Sequence, residues 1–89
     1  MKLKTGYVLR EFAGSYVVVA TGEASKHFKG MIKLNETGAI LWKELEKGVF
    51  DVKELANALT SIYDIDIDTA TNDVTMFLDV IKEHNIVEE

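Results

Sequence analysis

Neither cysteine nor proline occurs among the 89 residues. Without a thiol there is no disulfide framework, no thiolate metal site and no cysteine nucleophile, so stability rests on packing. Without proline no boundary is enforced sterically, and the elements must be read from periodicity and capping residues. Histidine is nearly absent as well: His27 and His84 lie far apart in the chain, with no third ligand at a matching spacing. Their expected places are a solvated loop and a helix end, where a cation meets the negative end of the dipole. No apolar run approaches the roughly 18 residues of a membrane-spanning helix. The stretch Met1 to Gly6 lacks the apolar core of a secretory signal, so a cytoplasmic location is expected.

What the chain does have is 47% hydrophobic residues, of which few are aromatic. At this length folding buries roughly 60 to 65 per cent of the surface that the unfolded chain exposes. One modest aliphatic core around Trp42 and Phe77 is expected, in a single domain spanning 1–89. The net charge of −5 conceals an asymmetry. Residues 1–34 hold six cations against two acids, +4, whereas the remainder holds four cations against thirteen acids, −9. Either the two parts attract weakly across water, or a partner segment of mixed charge lies between them.

Tyr7 to Phe12 and Ser15 to Ala20 are β-branched and aromatic runs separated by Ala13-Gly14, which predicts a tight hairpin with Gly14 at positive φ. Residues 21–30 show no periodicity and read as a loop. Met31-Ile32-Lys33-Leu34 alternates with period two, sending Ile32 and Leu34 to the core face and Met31 and Lys33 to the other. Asn35 then caps a helix running to about Glu46, with Trp42 buried, and Gly48 ends it in a left-handed conformation. Asp51 with Glu54 opens a second helix whose apolar positions Val52, Leu55, Ala56, Leu59, Ile62 and Tyr63 share one face. Asp66 or Asp68 caps a third helix to about His84. On it Ile67, Ala70, Val74, Leu78 and Ile81 form a core stripe with Phe77 at its edge, while Met76 and Val80 lie well off that stripe. Ile86 and Val87 either add a short strand or tuck in.

Little of this can do chemistry. Asp64, Asp66 and Asp68 alternate as calcium ligands do, but the mid-loop glycine and the bidentate glutamate are missing and Ile65 and Ile67 fill positions that should be hydrated. No serine has a base near it in any motif, and the six glycines never assemble a phosphate-binding fingerprint. No enzyme activity, metal or cofactor is expected. Nucleic acid is disfavoured by charge, because Ile67 to His84 holds Asp68, Asp73, Asp79 and Glu83 against Lys82 alone.

The strand-to-helix join Leu34-Asn35-Glu36-Thr37-Gly38-Ala39-Ile40-Leu41-Trp42, the phrase Val52-x-x-Leu55-Ala56-x-x-Leu59 and, more weakly, Val74 to Val87 resemble the PqqD-like family. Its members are peptide-recognition elements for ribosomally made, post-translationally modified peptides. The resemblance implies an α+β, winged-helix-like fold, with a three-stranded antiparallel sheet over 1–34 followed by a three-helix bundle over 35–89. It further implies that a precursor's leader peptide adds as a strand along Met31, Ile32, Lys33 and Leu34, with Asp73, Met76, Phe77 and Val80 of the third helix as the opposite wall. The implied partners are that leader and a separate modifying enzyme, often a radical S-adenosylmethionine protein. The oligomeric state is left open, a homodimer included. Two rival readings are a winged-helix DNA-binding or adaptor protein and an accessory subunit that binds only the enzyme.

Overall fold

The computed structural model describes residues 2–26 and 30–88. A short strand β1 (Lys2–Leu3) is followed by β2 (Tyr7–Phe12) and β3 (Ser15–Ala20), a 3-10 turn (Gly22–Lys26), and β4 (Met31–Leu34). Helices α1 (Glu36–Glu46), α2 (Val52–Thr60) and α3 (Ile67–Glu83) follow, and the short strand β5 (Val87–Glu88) comes last. Strands β2, β3 and β4 form an antiparallel sheet in that order, while β1 pairs with β5 in a separate two-stranded ribbon.

The hairpin between β2 and β3 turns on Ala13 at φ 52° and Gly14 at φ 81°. Two consecutive positive φ values give the turn whose twist matches the flanking strands, and the alanine accepts a conformation that glycine adopts without cost. Alternation then divides the sheet. Leu9, Val18 and Ile32 are aligned across the three strands and face the helices, with Val18 fully buried and Ile32 nearly so. Leu41, Trp42 and Leu45 of α1, Leu55, Ala56 and Leu59 of α2, and Ala70, Val74, Phe77, Leu78 and Ile81 of α3 complete the core. Each fully buried large apolar side chain contributes about 1.5–3 kcal/mol relative to exposure. Trp42 is fully buried, and among the described residues its indole N–H has no hydrogen-bond acceptor.

All three helices are capped by the side chain that precedes them. Asn35 Oδ1 accepts the Gly38 amide at 2.7 Å, Asp51 Oδ2 accepts that of Glu54 at 3.1 Å, and Asp66 Oδ1 accepts that of Thr69 at 2.7 Å. Asp66, not Asp68, is therefore the cap of α3. The Thr69 amide, then the Thr69 hydroxyl, hold the Asp66 carboxyl below its ordinary pKa, because both interactions favour the ionised form.

Several expectations need correction. Residues 21–30 are not all loop: Gly22–Lys26 makes a 3-10 turn closed by Ser25 Oγ donating to the Gly22 carbonyl at 2.6 Å, while His27 lies outside the described residues. Ile62 does not extend the apolar face of α2. The helix stops at Thr60, the amides of Ile62 and Tyr63 both return to the Leu59 carbonyl, and the tightened chain turns Ile62 outward at 57% exposure while Tyr63 packs inward. Ile67 is likewise 46% exposed, because it is the first residue of α3 and the helix reaches the core only at Ala70. Strand β1 has no counterpart in the sequence reading; two residues are too few to show periodicity, and its pairing depends on Val87–Glu88 at the far end of the chain.

Candidate functional site

Strand β4 pairs with β3 on one side, and among the described residues no strand pairs with its other edge. Because β4 passes through Asn35 alone into α1, the start of α1 is pinned at the end of this edge. Gly38 makes the close approach workable: a Cβ there would meet Leu34 Cβ at 3.2 Å and Asn35 Oδ1 at 3.3 Å. The Tyr63 hydroxyl donates to Glu36 Oε1 at 2.9 Å and so ties the first turn of α1 to the segment between α2 and α3. That bond to a carboxylate raises the Tyr63 pKa, since ionising the phenol would surrender it.

Between β4, the start of α1 and the middle of α3 lies an open cavity of about 300 Å3. Lys33 and Leu34 border it from the strand, and Asp73, Met76, Phe77 and Val80 from α3. Phe77 is a buried floor residue shared with the core, whereas Met76 is 60% and Val80 39% exposed, so apolar surface on α3 is left open to solvent here. Asn72 Nδ2 lies 3.6 Å from Met76 Sδ, a weak contact one turn away. Lys33, at the edge of β4, and Asp73, on α3, both border the cavity, and neither forms an ion pair with a described residue. Asn35, Thr37 and Gly38 place the first turn of α1 at the border of the same cavity.

Six of the eight residues expected to form a peptide site thus border one cavity. The other two do not. Ile32 is buried on the helix-facing side of the sheet, and Met31, 59% exposed, stands on the opposite face of β4. Both have backbone in the free-edge strand. Four lining residues were not anticipated: Asn35, Thr37, Gly38 and Leu41. The spacing 35, 38, 41 directly after Leu34 is the signal that places one face of α1 beside the strand end.

A second cavity of about 510 Å3 lies between Lys4, Thr5, Tyr7, Glu23, Ala24, His84, Asn85 and Glu88, and contains none of the expected site residues. His84 is the C-cap of α3, with Nδ1 2.8 Å from the Val80 carbonyl. Among the described residues no group of three or more His, Asp or Glu is placed to hold a metal ion, and no helix is long and apolar enough to cross a membrane.

The family model for coenzyme PQQ synthesis protein D (PqqD) matches residues 15–87. No curated protein matches the sequence. Among solved structures, TbiB1 in complex with the TbiA(beta) leader peptide superposes with a TM-score of 0.76 at 22% identity, over 99% of this chain and 95% of that one. Lasso peptide synthetase B1 complexed with the leader peptide superposes with a TM-score of 0.70 at 21% identity, over 92% of this chain and 89% of that one. At these identities the likeness is one of fold.

Proposed function

The chain belongs to the PqqD family, and from that premise we propose that it is a non-catalytic recognition element that captures the leader of a ribosomally made precursor peptide and presents it to a separate modifying enzyme. The observation that carries this reading is the unpaired edge of β4 facing an exposed apolar wall on α3 across an open cavity. A strand edge offers backbone hydrogen bonds to any extended peptide, and the cavity beside it selects among side chains. The structural neighbours TbiB1 and lasso peptide synthetase B1, each solved with a leader peptide, support the same role for this fold.

In this reading Met31, Ile32, Lys33 and Leu34 contribute backbone to the added strand, Leu34, Met76, Phe77 and Val80 form the apolar pocket, and Lys33 and Asp73 set the charge at its rim. Methionine suits the wall because its unbranched thioether adapts to its occupant. Charges of opposite sign at the rim act mainly on on-rate and selectivity. The modifying enzyme, a radical S-adenosylmethionine protein in one form of this reading, supplies the chemistry. A cytoplasmic location accords with a partner held inside the cell.

Titration of the labelled chain with the synthetic leader of its precursor tests the proposal. Amide shifts cluster at residues 30–34 and 73–80 and leave α2 nearly silent. Shifts confined to α2 would overturn it.

A further inference from the structure

Helix α3 carries four acids, and one of them differs from the rest. Asp68, Asp79 and Glu83 are exposed to water, whereas Asp73 is half-buried. It borders the cavity beside β4 in the company of Leu34, Leu41, Met76, Phe77 and Val80. No ion pair or side-chain hydrogen bond with a described residue satisfies its carboxylate. A carboxylate among apolar side chains loses hydration that a cation or a hydrogen-bond donor restores. An occupant that covered Met76 and Phe77 with apolar groups alone would dry Asp73 further and leave its charge uncompensated.

We propose that Asp73 selects a basic residue of the leader: the segment added at β4 presents a lysine or arginine to the cavity, two positions from an apolar side chain. The inference rests on the peptide-recognition reading above. Alternation supplies the spacing. In an added strand every second side chain faces α3, and such neighbours stand about 6.7 Å apart. Asp73 precedes Met76 and Phe77 by about 5 Å of helix rise and Val80 by about 10 Å. Successive inward side chains thus meet the carboxylate and the apolar wall in turn. Met76, three residues on, shares the face of Asp73, so the apolar stem of a basic side chain lies along the thioether while its charged head reaches the carboxylate.

Charge elsewhere agrees. Residues 35–89 hold four cations against thirteen acids, which draws a basic segment towards the helices from a distance. Lys33 is the one cation bordering the cavity among the described residues. Alternation with Ile32 and Leu34 assigns its side chain to the outer set of β4, away from a leader residue that points inward. An acidic leader residue in the inward place would instead meet Asp73 as a like charge.

The test sets the full chain and its Asp73→Asn and Asp73→Lys variants against a random peptide library displayed on phage, and the best parent binder is then synthesised. The parent enriches peptides with lysine or arginine two positions from a large apolar residue. Asp73→Asn keeps the apolar preference and drops the basic one, and Asp73→Lys selects an acid in that place. With the synthetic binder, exchanging its basic residue for glutamine weakens the parent about tenfold and Asp73→Asn hardly at all. The thermal midpoint of Asp73→Asn matches the parent's; a clearly lowered one would give the carboxylate a structural partner instead. Equal basic preference in the parent and both variants, or none in the parent, would overturn the assignment, while apolar peptides that shift residues 30–34 and 73–80 would keep the peptide reading intact. Enrichment of no peptide, or shifts confined to α2, would sink that reading and this inference with it.

Discussion

Helices α2 and α3 contribute to one core, yet they leave different things outside. On α2 the exposed positions are Lys53, Glu54 and Asn57, while its apolar residues are buried (Leu55, Ala56 and Leu59) or half-buried (Val52 and Ala58). On α3 Ala70, Val74, Phe77, Leu78 and Ile81 are buried in the same way, but Met76 and Val80 remain on the surface next to Asp73. A polar outer face is finished: water satisfies it and it asks for no neighbour. An apolar strip beside an unpaired strand edge is not, because both the side chains and the backbone of β4 gain from a partner. The contrast shows that partial exposure of two residues, placed beside the right strand, distinguishes a binding wall from a packing helix.

The strongest test of the shared part is the core. Trp42→Ala costs roughly 3–5 kcal/mol and Leu59→Ala and Leu78→Ala roughly 2–5 kcal/mol each, measured by denaturant unfolding. The α2 and α3 variants should fall in the same range, since both leucines lie in one core. A cost near zero for either would mean that the inner faces are not equivalent after all. Trp42→Phe should lose distinctly less than Trp42→Ala, because it keeps a ring in place and removes the indole donor that has no acceptor.

The outer faces should separate by binding and not by stability. Met76→Glu or Val80→Glu places an acid in the apolar contact and weakens leader affinity by about 1–3 kcal/mol, with a small change in midpoint. Asn57→Glu on α2 should leave affinity where it was. Equal loss from all three, read by calorimetry, would erase the difference between the helices. A smaller effect is expected at the start of α1, where Asn35→Ala removes the cap and lowers stability by about 1 kcal/mol.

The smallest effect separates the two helix starts by pH. Asp66 has a folded pKa below its ordinary value, so it contributes stability that is present above the ordinary carboxylate range and is lost as pH falls through the lowered folded value. Asp66→Asn should therefore flatten the acid limb of stability measured from neutral to acid pH. An acid limb identical to the parent's would remove this role.

Much of the fold was legible because it is local. Alternation marked β2, β3 and β4, the pair Ala13-Gly14 marked the hairpin, and Asn35, Asp51 and the pair Asp66 or Asp68 marked helix starts, the structure deciding for Asp66, through bonds that reach only three residues along the chain. Burial of Trp42 followed from periodicity of the same range. Ile62 and Ile67 were misplaced for the complementary reason: their spacing fits a helical stripe, but a terminus ends the helix before the stripe can be used. For the candidate site the sequence offered residue types and, through family resemblance, an arrangement; the meeting of Lys33 and Asp73, and of Asn35, Gly38 and Leu41, at the border of one cavity depends on the crossing of elements some forty residues apart in sequence.

The sequence by itself determined β2, β3, β4 and the three helices, the candidate caps, most of the inward faces and the absence of any thiol, since each is set by contacts between near neighbours or by composition. Tertiary structure decided that the free edge of β4 would lie beside α3, that β1 would meet β5, and that Met76 and Val80 would border the same cavity as the end of β4. Those outcomes depend on the order and angle at which elements pack. That is a property of the whole chain minimising its exposed apolar surface at once, and no window of neighbouring residues contains it.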